Sequence, residues 1–590
     1  MHRLSLLRKQ RIFYILMLFL FLFLILIFRL LWIQTSSGWK IIKPSTSTIN
    51  ELAVRQRQEG IELDSGRGHI VDRNGVALTG EVVWTPVLFP LKQLPSTKEM
   101  NRIASLLHTT TAKLHDTWVH LKIPQAWEEK QSGVFFHVNQ DELHQWRNLK
   151  GVMVLPYMNR YAEGLRGNQW LGYLAEQPEL IKSLGIKSRG KRDLSVSLGA
   201  AGLERSFDFY LRAAEKTAAY YAIDGKGRAL QGVGATIKGQ PSNYLPLVVH
   251  STIDNTLQRQ IEQLTEEQHI EQGAIVVLDA TNGDVISMVS RPFYDPKRIN
   301  LEQGEWSNSA VKAAVPGSIF KTVIAAAALE KGVTQPNEVF RCNREYGKYG
   351  MSCWLKEGHG DITLEDGYAH SCNIVFATLG ERLSELDIMN TAYGLGLGRK
   401  IGWQGNDLQQ IDQEEAGVIF KAKQVDGGVR AQTAIGQRDV QITPLQAANL
   451  VVTLLNDGKV AAPRLVSAIT YKDGSHFIDF ERKVRKNEQQ ISPRTSRLLT
   501  SWMRKVVIEG TGQSLQSAKW TLAGKSGTAQ VTFGSESRNH HWFIGYGPTE
   551  KPQYAVAVLI KNQPIGAKNK ATLLFKETMN ILAEHSKLVR

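Results

Sequence analysis

The strongest hydrophobic signal lies near the N-terminus, where Ile12 to Phe28 form an unbroken apolar run of 17 residues. Arg29 interrupts the run and Leu30-Leu-Trp-Ile33 continues it. This length crosses a bilayer core of about 30 Å when the arginine reaches back to the interface. Arg3, Arg8, Lys9 and Arg11 precede the run with no acidic residue among them. The positive-inside rule therefore predicts a cytoplasmic tail over residues 1–11, a transmembrane anchor over 12–33 and an exported remainder. A cleaved signal peptide is the alternative. Its apolar core would be shorter, about 7–15 residues, and would end at a small-x-small site, which Thr35-Ser-Ser-Gly38 resembles poorly.

Past the anchor the pattern changes. Residues 49–60 are polar and predict a helix or stalk. Asn74-Gly75 between alternating apolar flanks predicts a two-residue hairpin. Helical periodicity appears near 98–108 and 111–121, and the Gly- and Lys-rich stretch 213–247 predicts hairpins and connections. A boundary falls near 245–250, dividing the exported chain into 49–247 and 248–590. In the second part, Thr252-Ile-Asp254 opens a helix through about His269. Ala274–Leu278 and Val285–Val289 are apolar strands joined at Asn282-Gly283. Residues 315–460 are mainly helical. Three strands follow, Lys525–Phe533, His541–Tyr546 and Tyr554–Lys561, and an amphipathic helix covers Thr572–His585. This order predicts an α+β fold: an antiparallel sheet flanked by the first and last helices, with an all-helical portion inserted.

Composition narrows the picture. A chain of 590 residues with 42% hydrophobic content supports several cores, and a prior of roughly 150 residues per domain gives two to four domains. The net charge of +15 (71 basic, 56 acidic) suits an anionic membrane surface or a cell wall. The basic residues are spread along the chain, so a nucleic-acid footprint is the weaker reading. Three cysteines cannot all pair internally. Cys342 and Cys353 are close enough in sequence to bridge across a loop, and three free thiols are the equal alternative. No Cys/His spacing resembles a zinc site, so neither metal nor cofactor is expected.

The chemistry is carried by three short motifs in order: Ser318-Ile-Phe-Lys321, Ser371-Cys-Asn373 and Lys525-Ser-Gly527. The first pattern also occurs at Ser37/Lys40, Ser188/Lys191 and Ser309/Lys312, and a second Ser-x-Asn lies at Ser537/Asn539. Isolated copies are best read as helix caps, turns and solvated charges. Context separates Ser318 from the others. Pro316-Gly317 precede it, and an Ala-rich helix closed by Gly332 follows. A serine at a helix N-terminus sits where free N–H groups favour a developing oxyanion. Lys321, at i+3, shares its face. Once buried, such a lysine loses proton affinity and becomes able to take a hydroxyl proton. Ser371 and Asn373 are expected on one loop face. Lys525-Ser-Gly-Thr-Ala-Gln530 reads as a strand whose small residues leave room for a peptide to add alongside. The N–H groups of Ser318 and Thr528 are candidates for an oxyanion hole.

Together these motifs resemble the signature set of the penicillin-binding proteins and serine β-lactamases. Ile435-Gly-Gln437, Thr443-Pro-Leu-Gln446 and His541-Trp-Phe-Ile-Gly-Tyr546 agree with it. Upstream, Arg67-Gly68, Asp72-Arg-Asn-Gly75 and Gly202-Leu-Glu204 resemble the β-rich, non-catalytic pedestal of class B penicillin-binding proteins. The resemblance implies a pedestal over 49–247, of the dimerisation type, and a transpeptidase domain over 248–590. It implies that Ser318 attacks the D-Ala-D-Ala bond of a peptidoglycan stem peptide, with Lys321 as base and Ser371 assisting proton transfer. Asn373, Lys525, Ser526, Gly527 and Thr528 would bind substrate. An amine from a second stem peptide would resolve the acyl-enzyme, β-lactams would acylate Ser318, and a membrane glycan polymerase would be a partner. Ser526 stands where threonine is the commoner residue. Two alternatives stay open: a D,D-carboxypeptidase or β-lactamase, both of which need efficient water attack, and a non-catalytic β-lactam sensor or scaffold.

Overall fold

The computed structural model describes residues 2–35, 58–129, 134–161, 166–176, 197–212, 216–222, 236–239, 244–296, 299, 304–485, 490–534 and 536–588. Of the polar helix or stalk expected at 49–60, residues 49–57 lie outside these residues and 58–60 instead begin the strand Gln58–Asp64; most of the Gly/Lys-rich stretch and the Ser37 and Ser188 motif copies also lie outside them. A first helix, α1 (His2–Thr35), carries the apolar run. Its segment Arg11–Trp32 is long and apolar enough to cross a membrane.

The chain divides into two compact units. The first comprises residues 1–65, 83–157 and 215–240. It contains an antiparallel sheet of Gln58–Asp64, Thr217–Ala222 and Thr236–Lys238. Helices Thr97–Leu106 and Thr111–His120 occupy the two periodic stretches. Each starts at a hydroxyl cap: Ser96 accepts from Glu99 N and Thr110 from Lys113 N. Their apolar stripes bury Met100, Ile103, Leu114 and Trp118 with Phe136 and Trp146.

The second unit comprises residues 66–82, 158–214 and 241–590. Its elements, in order, are α2 (Asn255–Glu267), β1 (Gly273–Asp279), β2 (Val285–Arg291), α3 (Lys321–Glu330), β3 (Val339–Cys342), β4 (Gly360–Thr363), α4 (Leu364–Ala369), α5 (Asn373–Arg382), α6 (Glu385–Gly394), α7 (Gly427–Ala434), α8 (Pro444–Leu455), α9 (Pro493–Ile508), β5 (Ala523–Phe533), β6 (Glu536–Gly547), β7 (Tyr554–Gln563) and α10 (Lys570–Leu588). The central sheet is antiparallel throughout, in the order β2-β1-β7-β6-β5. Strand period two explains the continuous apolar runs of β1 and β7, because both faces are covered. Ile275 and Val277 face α2 and α10, whereas Ala274, Val276 and Leu278 face the layer holding α8.

The helices start at side-chain caps. Asp254 accepts from Thr256 N and Leu257 N at the start of α2, and His585 of α10 lies 3.2 Å from that same carboxylate. Thr443, Pro444 and Gln446 form a capping box with proline in the first turn of α8. The Asn74-Gly75 turn is present, closed by Asp72 N to Val76 O and a Val71–Ala77 bridge. Two features differ from expectation. The helical region contains the β3–β4 hairpin. A second sheet, ordered His476–Asp479, Val466–Thr470, Val248–Ser251 and His69–Val71, gathers strands from distant parts of the chain. These strands are three to five residues long, too short for period two to stand out, and their partners are remote in sequence.

Candidate active site

Ser318 lies in a 3₁₀ turn, Gly317–Phe320, that runs directly into α3. Sequence reasoning expected an α-helical N-terminus here; the tighter turn follows from close packing on both sides. Gly317 has φ +57°, and a Cβ there would sit 2.4 Å from Thr528 O of β5. Gly436 has φ +78°, and its Cβ would sit 1.8 Å from Gly317 O. Gly317 N also donates to Gly436 O at 2.9 Å. Glycine at both positions lets the turn wedge between β5 and the loop after α7.

Lys321 is fully buried at the start of α3. Its Nζ donates to Ser371 O at 2.8 Å, Ser371 Oγ at 3.3 Å and Asn373 Oδ1 at 2.8 Å, and lies over the Phe376 ring. Burial pushes its ammonium down to about 8. Ser371 itself has φ +58°, a backbone conformation that non-glycine residues seldom adopt. The segment is held by Ser371 N to Tyr368 O and Cys372 N to Gly367 O before α5 begins at Asn373. The amide of Asn373 also reaches Ser352 O at 3.0 Å.

The third motif splits between the two faces of β5, as strand period two requires. Ser526, Thr528 and Gln530 line the open side. Lys525 points the other way and is fully buried, with Nζ 3.1 Å from Ser526 O and over the Tyr368 ring. Desolvation, with the charge of Lys321 nearby, holds it well below the usual lysine range. Together the three motifs border a cleft of about 740 Å³ lined by Ser318, Ser371, Asn373, Ser526, Gly527 and Thr528 among others. Lys321 and Lys525 lie beneath its floor. Of the other Ser-x-x-K copies, Ser309 donates to Arg291 O, and Lys312 pairs with Glu415.

Several cleft residues were given no role by sequence reasoning. Gln437 clamps β5, donating to Thr528 O and accepting from Gln530 N. Thr511 hydrogen-bonds Ser526 Oγ at 2.7 Å. Asn539, from the second Ser-x-Asn, also lines the cleft. The loop Gly350–Trp354 forms one wall. None has a local sequence signal beyond Ile435-Gly-Gln437, because each reaches the cleft through tertiary packing. The cysteines follow the second of the two expected alternatives. All three are free and buried. Cys342, Cys353, Cys372 and His359 come together with their donor atoms all within 4.8 Å of one another. Linear spacing hid this group, since its members come from a hairpin, a loop and a helix cap.

Residues 273–580 match the model of the penicillin-binding protein transpeptidase domain, and residues 62–247 that of the penicillin-binding protein dimerisation domain. Stage V sporulation protein D of Bacillus subtilis is 27% identical over 583 residues, covering 94% of this chain and 82% of that protein. Peptidoglycan D,D-transpeptidase MrdA of Haemophilus influenzae is 28% identical over 475 residues, covering 72% and 69%. Among solved structures, a chain from a study of polymerization and crosslinking by a peptidoglycan synthase complex superposes with a TM-score of 0.68 at 22% identity. The match covers 97% of this chain and 98% of that one, a likeness of fold.

Proposed function

The chain belongs to the class B penicillin-binding proteins, and from that premise we propose that it is a peptidoglycan D,D-transpeptidase acting through an acyl-enzyme on Ser318. The supporting observation is the meeting of the three motifs around one cleft, with a buried lysine joining the first motif to the second. Ser318 Oγ attacks the carbonyl carbon of the D-Ala-D-Ala bond, and Lys321 takes the hydroxyl proton. The oxyanion is held by the N–H groups of Ser318 and Thr528. Ser371, in contact with Lys321 Nζ, passes the proton to the leaving D-alanine nitrogen. Ser526, Gly527 and Thr528 receive the terminal part of the donor peptide along β5, and Asn373 its amide. Lys525 supports the strand from beneath, with Nζ against Ser526 O. An amine of a second stem peptide then attacks the ester, forms the cross-link and frees Ser318. A β-lactam follows the first half of this path.

The residues before the apolar run include four basic ones, which favours a cytoplasmic N-terminus and an exported cleft. The likeness to a chain from a synthase complex supports a membrane glycan polymerase as partner. Labelling with a fluorescent penicillin tests the chemistry. Wild-type protein should form a persistent adduct, and Ser318→Ala should lose labelling by about a thousandfold or more. Lys321→Ala should slow it comparably. Unlabelled wild-type protein would sink the acyl-enzyme, and rapid loss of the adduct to water would favour the hydrolase reading.

A further inference from the structure

We infer that Gln437 is a positioning residue for the acylation step: it holds the two donors of the oxyanion site, on the Ser318 turn and on β5, at a fixed separation. This role rests on the acyl-enzyme reading of Ser318, because the oxyanion arises only there. β5 comes last in the order β2-β1-β7-β6-β5, so one of its edges has no neighbouring strand of that sheet. In a strand the N–H and C=O of one residue point to the same side. Thr528 O and Gln530 N both meet Gln437. The edge away from β6 therefore carries the backbone groups of these two residues, and the N–H of Thr528 opens on it as well.

Gln437 puts a side chain where a further strand would lie. Its Nε2 donates to Thr528 O at 3.3 Å, and its Oε1 accepts from Gln530 N at 3.2 Å. One donor and one acceptor on a planar carboxamide reproduce what a peptide group of a neighbouring strand offers. The residue before it is tied to the other half of the oxyanion site. Gly436 O accepts from Gly317 N at 2.9 Å, one position ahead of Ser318. Gln437 N donates to Gln432 O at 3.1 Å, which anchors the pair to α7. Two consecutive residues thus hold the Ser318 turn with one and the strand around Thr528 with the other.

Two N–H groups stabilise an oxyanion only when both stand about 2.7–3.1 Å from the same oxygen. Packing sets how closely the turn and the strand approach, since a Cβ on Gly527 would meet Pro316 O at 2.8 Å. Packing resists less the sliding of an edge strand along its own axis. Hydrogen bonds at Thr528 O and Gln530 N oppose that slide, and a slip of about 1 Å at a reacting centre costs up to about a hundredfold in rate.

The test uses the full chain in detergent, with fluorescent penicillin and phenylacetamidomethyl boronic acid as probes. Ser318 Oγ adds to boron, its proton passes to Lys321, and the tetrahedral boronate places an anionic oxygen in the oxyanion site. Gln437→Ala should lower the acylation rate constant at saturating penicillin about tenfold, and boronic acid affinity by a similar factor. The penicillin concentration giving half-maximal rate should move less than about twofold. The melting temperature should be held, because the contact lies at the surface. Gln437→Glu has only acceptors while ionised, but once protonated it again offers one donor and one acceptor. Its rate relative to wild type should climb towards one as pH falls from about 7 to about 4.5. Hydrogen exchange read by mass spectrometry should show one faster amide in a peptide containing Gln530. Acylation of Gln437→Ala at the wild-type rate, or faster because the edge is cleared for the donor peptide, would overturn the role. Unchanged exchange at Gln530 would overturn it too. Wild-type protein that takes up neither probe would count against the acyl-enzyme; exchange at Gln530 still decides whether Gln437 holds the strand.

Discussion

Glu262 on α2 has no part in the cleft, yet it is the clearest case of a buried charge working against folding. Desolvation raises its carboxyl to about 7, only partly offset by the hydrogen bond from Gln258, by Arg259 and by the Gly167 backbone, while Glu266 adds to the rise. The native state holds this proton at pH values where the unfolded chain has released it. Stability from this group is therefore full below the ordinary carboxylate range, near 4.5, and is lost as pH rises through about 7. The shift corresponds to about 3 kcal/mol. Glu262→Gln should flatten the fall in unfolding free energy between pH 5 and 8 and leave the variant more stable at pH 8. Urea-unfolding midpoints across that range measure it; an unchanged slope would show that Glu262 is not the group responsible. The same desolvation acts on Lys321, but there the neighbouring acceptors belong to the cleft. Sequence reasoning singled out Lys321 as a lysine that would lose proton affinity if buried among Phe320, Ile324 and their neighbours. It did not identify Glu262, since a glutamate in an amphipathic helix reads as solvent-facing until the packing of the Gly167 backbone against it is known.

Among the elements, the turn bearing Ser318 is the most constrained. Gly317 is pressed against Thr528 O, and Gly436 against Gly317 O. Gly317→Ala adds a methyl group where the backbone is at positive φ and the strand carbonyl stands 2.4 Å away. We expect a loss of about 1–3 kcal/mol. Acylation by fluorescent penicillin should slow by about tenfold or more, because a misplacement of about 1 Å at a reacting atom costs more than that. Thermal melting and labelling rates on the same preparation read both effects. Normal labelling with a lowered melting temperature would mean that the turn relaxes without moving Ser318. The element types around this turn were legible in the sequence. The Ala-rich α3 and the strands β5 to β7 lie within a few residues of their expected bounds. The β3–β4 hairpin was not legible, because four-residue strands separated by a long loop offer no period to count.

For the molecule as a whole, discontinuity of the second unit is the main fact. Residues 66–82 and 158–214 group with 241–590. Within this unit Glu204 is fully buried and accepts from Arg67 Nε at 2.9 Å and Arg160 Nε at 2.7 Å, while Arg67 also pairs with Asp208 at 2.9 Å. These residues come from three stretches up to 141 positions apart (208 − 67). Removing the central carboxylate leaves the part-buried Arg160 without it and the buried Arg67 with Asp208 alone, so Glu204→Ala should cost about 3 kcal/mol. A melting temperature lowered by several degrees, with the cleft still labelled at low temperature, is the expected result; unchanged melting would show that the network adds nothing. Taken alone, the sequence determined the apolar segment, the α+β order of elements, the three motifs and their family, because these depend on local period, caps and short spacings. Tertiary structure alone decided that Gln437, Thr511 and Asn539 also line the cleft. It alone brought three cysteines and a histidine together. These are contacts between segments tens to hundreds of residues apart, and they are fixed by the closing of the sheet and its helices, which leaves no periodic trace along the chain.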